Sequence, residues 1–258
     1  MDLQLKGKTA LVTGSTAGIG LAIAQALAKE GASVIVNGRT EERVRAAMKA
    51  SGAAHGIAAD LATEAGAREL IAEFGQVDIL VNNLGIFEPK PFAEITDDDW
   101  RRFFEVNVLS GVRLSRHYIG AMKERNWGRI VFISSESALQ IPPEMIHYGM
   151  TKTAQLAISR GLAETTAGTG VTVNAVLPGP TASEGVTEFV QQLAKGQRTD
   201  VAAVEREFFR DVRPSSLIKR FATPAEVAAL VAFVCSPLAA AINGAALRVD
   251  GGVVRSIA

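Results

Sequence analysis

The sequence has few of the residues that metal sites and disulfide-stabilised folds require. Its 258 residues include one cysteine, Cys235, and three histidines, His55, His117 and His147. A lone cysteine cannot form an internal disulfide, and the histidines lack the spacing of metal-ligand motifs. We therefore expect no metal site, and we expect the chain to work in the reducing cytoplasm.

An excess of charge of either sign is also absent, since Lys+Arg and Asp+Glu number 27 each. Binding to a nucleic acid would then need a local basic stripe, and the sequence contains none. The chain also lacks an apolar run long enough to cross a bilayer and the pattern of a secretory signal at its start. We expect neither a nucleic acid nor a membrane as partner, which leaves small molecules.

Short β-branched runs alternate with amphipathic helical stretches along most of the chain. This alternation predicts an α/β fold, a doubly wound, Rossmann-like sheet of seven parallel strands with helices on both faces, in a single domain spanning residues 1–258. The strands are expected at Thr9–Thr13, Val34–Asn37, Gly56–Ala59, Ile79–Asn82, Arg129–Ser134, Val171–Val176 and Ala245–Val249. The helices are expected at Ile19–Glu30, Glu41–Ala50, Ala65–Phe74, Asp98–Lys123, Tyr148–Glu164 and Pro224–Cys235.

Residues 184–213 interrupt the alternation with two polar, helix-forming pieces, around Val186–Lys195 and Val201–Asp211. The segment leaves the sixth strand at the carboxyl edge of the sheet, where folds of this kind bind ligands. We interpret it as a lid over a substrate pocket. The alternative is a solvated helical insertion with no part in the site.

Glycines cluster directly after the first predicted strand, where Gly14, Gly18 and Gly20 follow the pattern TGxxxGxG. Glycine lets the backbone approach a pyrophosphate closely, and the helix that follows directs N–H groups at it. The order of strand, glycine turn and helix favours a dinucleotide-binding loop over a turn whose glycines serve only the backbone.

Tyr148 and Lys152 lie four residues apart at the start of a predicted helix, and therefore on one face of it. A neighbouring ammonium and an oxidised nicotinamide are expected to stabilise the phenolate and to lower the pKa of Tyr148, which could then act as acid or base. Ser135 ends the fifth strand, whereas Ser134 points to the other side of that strand. Glu136 is equally compatible with contacting a polar substrate and with pointing elsewhere.

These motifs resemble those of the short-chain dehydrogenase/reductase family, in particular of members similar to 3-oxoacyl-carrier-protein reductases. The resemblance runs through nearly the whole chain and includes Asn82–Gly85, Pro178–Gly179 and Asp250–Gly252. Leu84 departs from the family, which has alanine there, and narrows the space beside the cofactor. The resemblance implies a homo-oligomer, either a tetramer or a dimer.

The resemblance also implies a catalytic tetrad of Asn107, Ser135, Tyr148 and Lys152. Ser135 would position the substrate oxygen, Tyr148 would exchange the proton, and Lys152 would assist through its charge and ribose contacts. Asn107 would help to hold a water that links the lysine to solvent. The expected contacts to a nicotinamide dinucleotide are Gly14, Ser15, Thr16, Gly18, Ile19, Gly20, Arg39, Asp60, Leu61, Asn83, Gly85, Tyr148, Lys152, Pro178, Gly179 and Thr181.

The end of the second strand bears on the choice of cofactor. Gly38 stands where relatives that use NAD carry aspartate, and Arg39 follows with a guanidinium suited to a bidentate phosphate contact. We therefore expect NADP (NADPH) rather than NAD. Ala17 occupies the loop position that is basic in many NADP-using relatives, which weakens this expectation, and an ordinary surface arginine is the alternative for Arg39.

The sequence thus predicts an NADP-dependent carbonyl reductase or secondary-alcohol dehydrogenase. NAD-linked oxidation of a polyol, sugar or hydroxy acid is the alternative reaction, and a nucleotide-sensing binding protein is the alternative without turnover. The substrate stays open. Lys195 and Arg198 of the lid suit an acidic molecule, whereas Phe189, Phe208 and Phe209 suit an apolar one.

Overall fold

The structure is a computed structural model that describes residues 1–197 and 199–257, without the side chains of Phe189 and Gln197. The expectations for Arg198 and for the Phe189 side chain lie outside this part of the chain. Within it, seven strands form one parallel sheet in the order β3-β2-β1-β4-β5-β6-β7, which confirms the predicted fold class. The strands are β1 (Thr9–Val12), β2 (Ser33–Gly38), β3 (His55–Ala58), β4 (Ile79–Asn82), β5 (Gly128–Ile133), β6 (Val171–Pro178) and β7 (Ala246–Val249).

Helices connect the strands and cover both faces of the sheet. They are α1 (Gly18–Lys29), α2 (Glu41–Ser51), α3 (Glu64–Glu73), α4 (Asp97–Phe104), α5 (Ser110–Glu124), α6 (Ile146–Glu164), α7 (Glu184–Gln197), α8 (Val201–Glu207) and α9 (Pro224–Val234). The single helix expected over residues 98–123 is wrong in one respect, because a π-helical turn, Glu105–Leu109, separates α4 from α5. In the part of the chain that is described, none of the helices has the length and hydropathy needed to traverse a bilayer.

The central strand β1 shows how the two faces are built. Successive side chains of a strand point to opposite faces, so Ala10 and Val12 enter one core while Leu11 enters the other. Side chains of α1, α2 and α9 complete the first core, and side chains of α3, α5 and α6 complete the second. Because β1 is buried on both sides, its sequence is a continuous apolar run instead of an alternating one.

The lid predicted at residues 184–213 consists of α7, α8 and a π-helical turn, Phe208–Val212. It has a small apolar core of its own, in which Val190, Ala194 and Val204 are buried and Phe221 packs against them. Both expected helices are therefore present. Their apolar side chains pack against each other and against Phe221.

Capping boxes fix the starts of two helices. Thr223 accepts a hydrogen bond from the N–H of Glu226 at the start of α9, and the Glu226 carboxylate accepts one from the N–H of Thr223. Thr96 and Asp99 make the same reciprocal pair at α4. Each box satisfies two backbone donors that a helix start would otherwise leave without a partner.

We predict that Thr223→Ala lowers the free energy of unfolding by about 1 kcal/mol, because it removes the acceptor for the Glu226 N–H. Urea unfolding followed by circular dichroism measures this. Thr187→Ala is the matched control, since Thr187 is exposed inside α7 and alanine favours a helix there. Equal stability of the two variants would contradict the assignment of the cap.

Candidate active site

A cavity of about 600 Å³ opens at the carboxyl edge of the sheet. All strands are parallel, so the segments that follow β4, β5 and β6 meet at this edge. They bring Asn83, Ser135 and Gly179 to the cavity wall, where α6 adds Tyr148 and Lys152. Residues from separate parts of the sequence are thus assembled around one space. The other expected cofactor contacts that line it are Ile19, Gly85, Pro178 and Thr181.

The loop between β1 and α1 needs its glycines for two different reasons. Gly14 and Gly18 have φ angles of +58° and +55°, in the left-handed region that side chains disfavour. A Cβ atom on Gly20 would lie 2.6 Å from the carbonyl oxygen of Gly14, so only glycine fits where the loop meets the helix. The loop therefore keeps its backbone bare at the start of α1.

Hydrogen bonds hold this loop against its neighbours. The Ser15 hydroxyl donates to the carbonyl oxygen of Val12 at 2.7 Å and accepts from the N–H of Asn37 at 2.9 Å. The Asn83 amide donates to the carbonyl oxygens of Thr13 and Gly14 at 2.9 and 3.0 Å. Ser15 is buried, so its side chain stabilises the loop.

The end of β2 carries no carboxylate beside the loop. A Cβ atom on Gly38 would lie 2.4 Å from Cγ2 of Thr16, so a side chain at position 38 requires Thr16 to move. Arg39 is exposed, and none of the described residues forms an ion pair or hydrogen bond with its guanidinium. Its charge is thus available to a ligand.

Asp60 and Leu61 follow β3 and lie apart from the cavity wall. Asp60 is exposed, and its carboxylate accepts from the N–H of Ala62 at 3.1 Å. The Leu61 side chain is buried in the second core.

Lys152 is buried beneath the cavity with only 4% of its surface exposed. Its ammonium donates to the carbonyl oxygen of Ile133 at 2.9 Å and to Oε1 of Gln155 at 3.4 Å. It lies 5.6 Å from the centre of the Tyr148 ring. Burial lowers the pKa of Lys152 to about 8, because the ammonium loses hydration that these oxygens replace only in part.

The neighbouring ammonium does not lower the pKa of Tyr148 as expected, while the lowering expected from an oxidised nicotinamide stays a prediction. Burial raises the pKa of this phenol well above its usual range, and the carboxylate of Glu136 raises it further. Interaction with the Ser135 hydroxyl and the charge of Arg213 oppose this rise without cancelling it. Tyr148 is therefore a protonated phenol at neutral pH.

The hydroxyl groups of Ser134 and Ser135 have different partners. Ser134 donates to the main-chain oxygen of Lys152 at 2.9 Å and so joins β5 to α6. Ser135 donates to Oε2 of Glu136 at 2.5 Å and accepts from the N–H of Ser137 at 3.1 Å. A hydroxyl has one hydrogen, so Ser135 must redirect it from Glu136 in order to donate to a substrate oxygen.

Asn107 lies in the π-helical turn and is 1% exposed. Its side chain accepts from the N–H of Ile86 at 2.8 Å and donates to the Ile86 oxygen and to Oγ1 of Thr151, both at 3.0 Å. Its main-chain oxygen accepts from the Gln155 amide at 2.6 Å. Since Gln155 also accepts from Lys152, its side chain connects the lysine to the main chain of Asn107.

Sequence reasoning missed two residues of this site, Gln155 and Arg213. Gln155 lies three residues after Lys152 on the same helix, a spacing that could have identified it. Arg213 donates to Glu136 at 3.1 Å, and no local pattern predicts a contact between residues 77 positions apart. Among the residues that can be described, no group of three or more His, Cys, Asp or Glu side chains is placed to hold a metal ion.

The segment 184–213, interpreted above as a lid, lines the cavity mainly with apolar side chains. Phe208 lines the cavity and packs against Phe209, edge to face, and against Phe221, with ring centres 5.0 and 5.1 Å away. Lys195 is exposed and is not among the lining residues. Of the two expectations for the lid, the apolar cover agrees better with this arrangement.

Comparison with known proteins places these features in context. The family profile described as enoyl-(acyl carrier protein) reductase matches residues 14–254. The uncharacterized oxidoreductase YvaG of Bacillus subtilis is 53% identical over 263 residues, covering 100% of both chains. The 3-oxoacyl-[acyl-carrier-protein] reductase FabG of Escherichia coli is 34% identical and covers 97% of this chain and 99% of its own.

Solved structures give the same picture. The L-sorbose reductase from Gluconobacter frateurii, crystallised with NADPH and L-sorbose, superposes with a TM-score of 0.92 at 32% identity and covers 100% of both chains. A structure described as an NAD(P)-dependent gluconate 5-dehydrogenase from Beutenbergia cavernae, with bound NADP, has a TM-score of 0.84 at 34% identity, covering 99% of this chain and 100% of that one.

The buried state of Lys152 predicts a pH dependence of stability. The folded chain releases this proton near pH 8, whereas an unfolded lysine keeps it to about 10.5, so the unfolded state binds more protons in between. Raising the pH from about 7 to about 9.5 should therefore increase the unfolding free energy of the wild type relative to Lys152→Met. Urea unfolding at both pH values measures this difference.

Lys49→Met is the matched control, because Lys49 is exposed on α2. The unfolding free energy of Lys49→Met should change with pH in the same way as that of the wild type. If the unfolding free energy of the wild type relative to that of Lys152→Met stayed constant or fell with rising pH, the assignment of a buried ammonium to Lys152 would be contradicted.

Proposed function

Because the chain belongs to the short-chain dehydrogenase/reductase family, we propose that it is an NADP-dependent oxidoreductase that interconverts a carbonyl compound and a secondary alcohol, with Tyr148 as general acid and base. One observation carries the proposal. Ser135, Tyr148 and Lys152 line a single cavity that extends to Ile19 of the glycine loop. These are the groups that can hold, protonate and electrostatically stabilise a substrate oxygen.

Bound NADP(H) would supply or accept the hydride. The residues fit such a group, since the loop from Gly14 to Gly20 leaves its backbone bare and Asn83 fixes its position. A Cβ atom on Gly85 would lie 3.5 Å from Nζ of Lys152, so glycine keeps the space over the ammonium open. We assign the dinucleotide to the cleft between this loop and Thr181.

The preference for NADP over NAD is supported by the end of β2. No carboxylate stands there to repel a 2′-phosphate, and the guanidinium of Arg39 is available to bind one. The L-sorbose reductase that superposes on the chain was crystallised with NADPH. The charge at the end of β2 and the similarity to this reductase thus both favour NADP.

In the reductive direction the phenol of Tyr148 donates its proton to the oxygen of the former carbonyl. Its raised pKa keeps the proton in place until negative charge develops on that oxygen. Ser135 donates its hydroxyl hydrogen to the same oxygen. Lys152 is largely protonated at neutral pH, with a pKa of about 8, and stabilises the phenolate that is left.

We predict that Tyr148→Phe reduces kcat by about 10²–10⁴-fold and leaves the affinity for NADPH within about twofold, since the phenol transfers a proton and does not hold the dinucleotide alone. NADPH oxidation against a panel of ketones and 3-oxoacyl thioesters measures turnover, and fluorescence titration measures binding.

The other tyrosine of the chain provides the control. Tyr118 donates to the carbonyl oxygen of Phe74 at 2.6 Å, within the second core and away from the cavity. Tyr118→Phe should lose some stability and keep its turnover. If Tyr148→Phe retained the turnover of Tyr118→Phe, the assigned role of Tyr148 would be refuted.

We predict that Arg39→Asp lowers the ratio of kcat/KM with NADPH to kcat/KM with NADH by at least about tenfold, because it replaces a phosphate-binding charge with a repelling one. Arg45→Asp is the control, since Arg45 is exposed on α2 and pairs with Glu41. An unchanged cofactor ratio in Arg39→Asp would remove Arg39 from the cofactor site.

A further inference from the structure

Glu136 and Arg213 form a buried ion pair next to Ser135. Nε of Arg213 donates to Oε1 of Glu136 at 3.1 Å, and both side chains are at least 90% buried. Oε2 of Glu136 accepts from the hydroxyl of Ser135 and from the N–H of Ser137. Nη1 of Arg213 donates to Glu144 at 3.2 Å. The cluster therefore contacts the residue that is expected to bind the reacting oxygen.

Hydrogen-bonding capacity is left over on both members of the pair. Among residues 1–197 and 199–257, Oε1 of Glu136 accepts from Arg213 alone, and nothing accepts from Nη2 of Arg213. A carboxylate oxygen accepts two hydrogen bonds, and Nη2 carries two hydrogens. Both residues line the cavity, so the spare acceptor and the spare donor belong to two paired residues of its wall.

The charge of the cluster excludes one class of substrate. One guanidinium faces two carboxylates, those of Glu136 and Glu144, so the cluster has a formal charge of −1. Glu207 lines the same cavity and adds negative charge, whereas Asp211, which also lines it, is paired with Arg210. A carboxylate or phosphate placed against this cluster would be repelled, because Arg213 is already neutralised by its partners.

From these observations we infer that the pair Glu136–Arg213 selects a neutral carbonyl compound with a hydroxyl group on the carbon next to the carbonyl. A hydroxyl both donates and accepts, so it satisfies Glu136 and Arg213 together. An apolar substituent there would leave the spare acceptor site on Oε1 of Glu136 and the Nη2 hydrogens of Arg213 unused, which discriminates against it. The apolar side chains of Leu193, Val204 and Phe208 then accommodate the hydrocarbon remainder.

The inference rests on the proposed function and defines the substrate of the same site. Reduction of such a ketone yields a vicinal diol. The carbonyl carbon gains the hydride of NADPH, which is oxidised to NADP⁺, and the carbonyl oxygen gains the proton of Tyr148. The adjacent hydroxyl stays unchanged.

Three ketones of equal chain length test the inference in the wild type: 1-hydroxy-2-hexanone, 2-hexanone and the anion 2-oxohexanoate. NADPH oxidation at matched concentrations gives kcat/KM for each. We expect the hydroxyketone to exceed both others by at least about tenfold, the effect of one charge-assisted hydrogen bond. This comparison needs no variant and so does not depend on the folding of one.

Glu136→Gln keeps the shape of the side chain and removes its charge. It should reduce the preference for the hydroxyketone over 2-hexanone by at least about fivefold and improve the relative efficiency with 2-oxohexanoate. Glu188→Gln, on the exposed face of α7, is the matched control and should keep the wild-type ratios. Because the readout is a ratio between substrates, a general loss of activity does not mimic the result.

The outcomes separate the two proposals. Turnover of other carbonyl compounds together with equal or lower efficiency for the hydroxyketone would overturn the inference and leave the proposed function intact. An unchanged preference in Glu136→Gln would also overturn it. Absence of turnover with every carbonyl compound, while NADPH still binds, would overturn the proposed function and this inference with it.

Discussion

The buried ammonium of Lys152 determines how α6 meets the carboxyl end of β5. It reaches under the cavity to the carbonyl oxygen of Ile133, and the Ser134 hydroxyl returns a hydrogen bond to the main chain of Lys152. Burying a charge is costly unless oxygens replace its water, and here Ile133 and Gln155 do so only in part. The position of Tyr148, one helical turn earlier, follows from this anchor.

The same burial shifts the pKa values of the two groups in opposite directions. The pKa of Lys152 falls to about 8, while that of Tyr148 rises above its usual range. The site therefore starts from a neutral phenol beside an ammonium that is easily deprotonated. Such a phenol is a suitable acid for an oxygen on which negative charge develops. Positive charge near the ring would lower its pKa and so allow it to act as a base in the reverse direction.

The sequence predicted the sheet well, because strands buried on both faces appear as short β-branched runs. The ends of all seven strands lie within one or two residues of their expected positions. The glycine loop could also be predicted from the sequence, because its requirements are local. Gly14 adopts a positive φ angle, and Gly20 leaves no room for a side chain. The π-helical turn was not, because tertiary hydrogen bonds of Asn107 to Ile86 and Thr151 accompany it.

Other features depend on burial and on distant contacts, which no local pattern encodes. The rise in the Tyr148 pKa comes from desolvation, and the Glu136–Arg213 pair joins the end of β5 to the end of the lid. The homo-oligomer, the cytoplasmic location and the single-domain organisation stay predictions. The roles assigned to individual site residues are proposals that follow from the family and from the geometry of the cavity.

We propose above all that Tyr148 and Lys152 lie beside the nicotinamide of the bound dinucleotide. Titration of the Tyr148 phenol tests this most directly. In Tyr118→Phe, Tyr148 is the sole remaining tyrosine, so the ultraviolet absorbance of tyrosinate against pH reports on it alone. Saturating NADP⁺ should lower the pKa of Tyr148, because the oxidised ring adds positive charge near the phenol. The same titration curve with and without bound NADP⁺ would contradict the account.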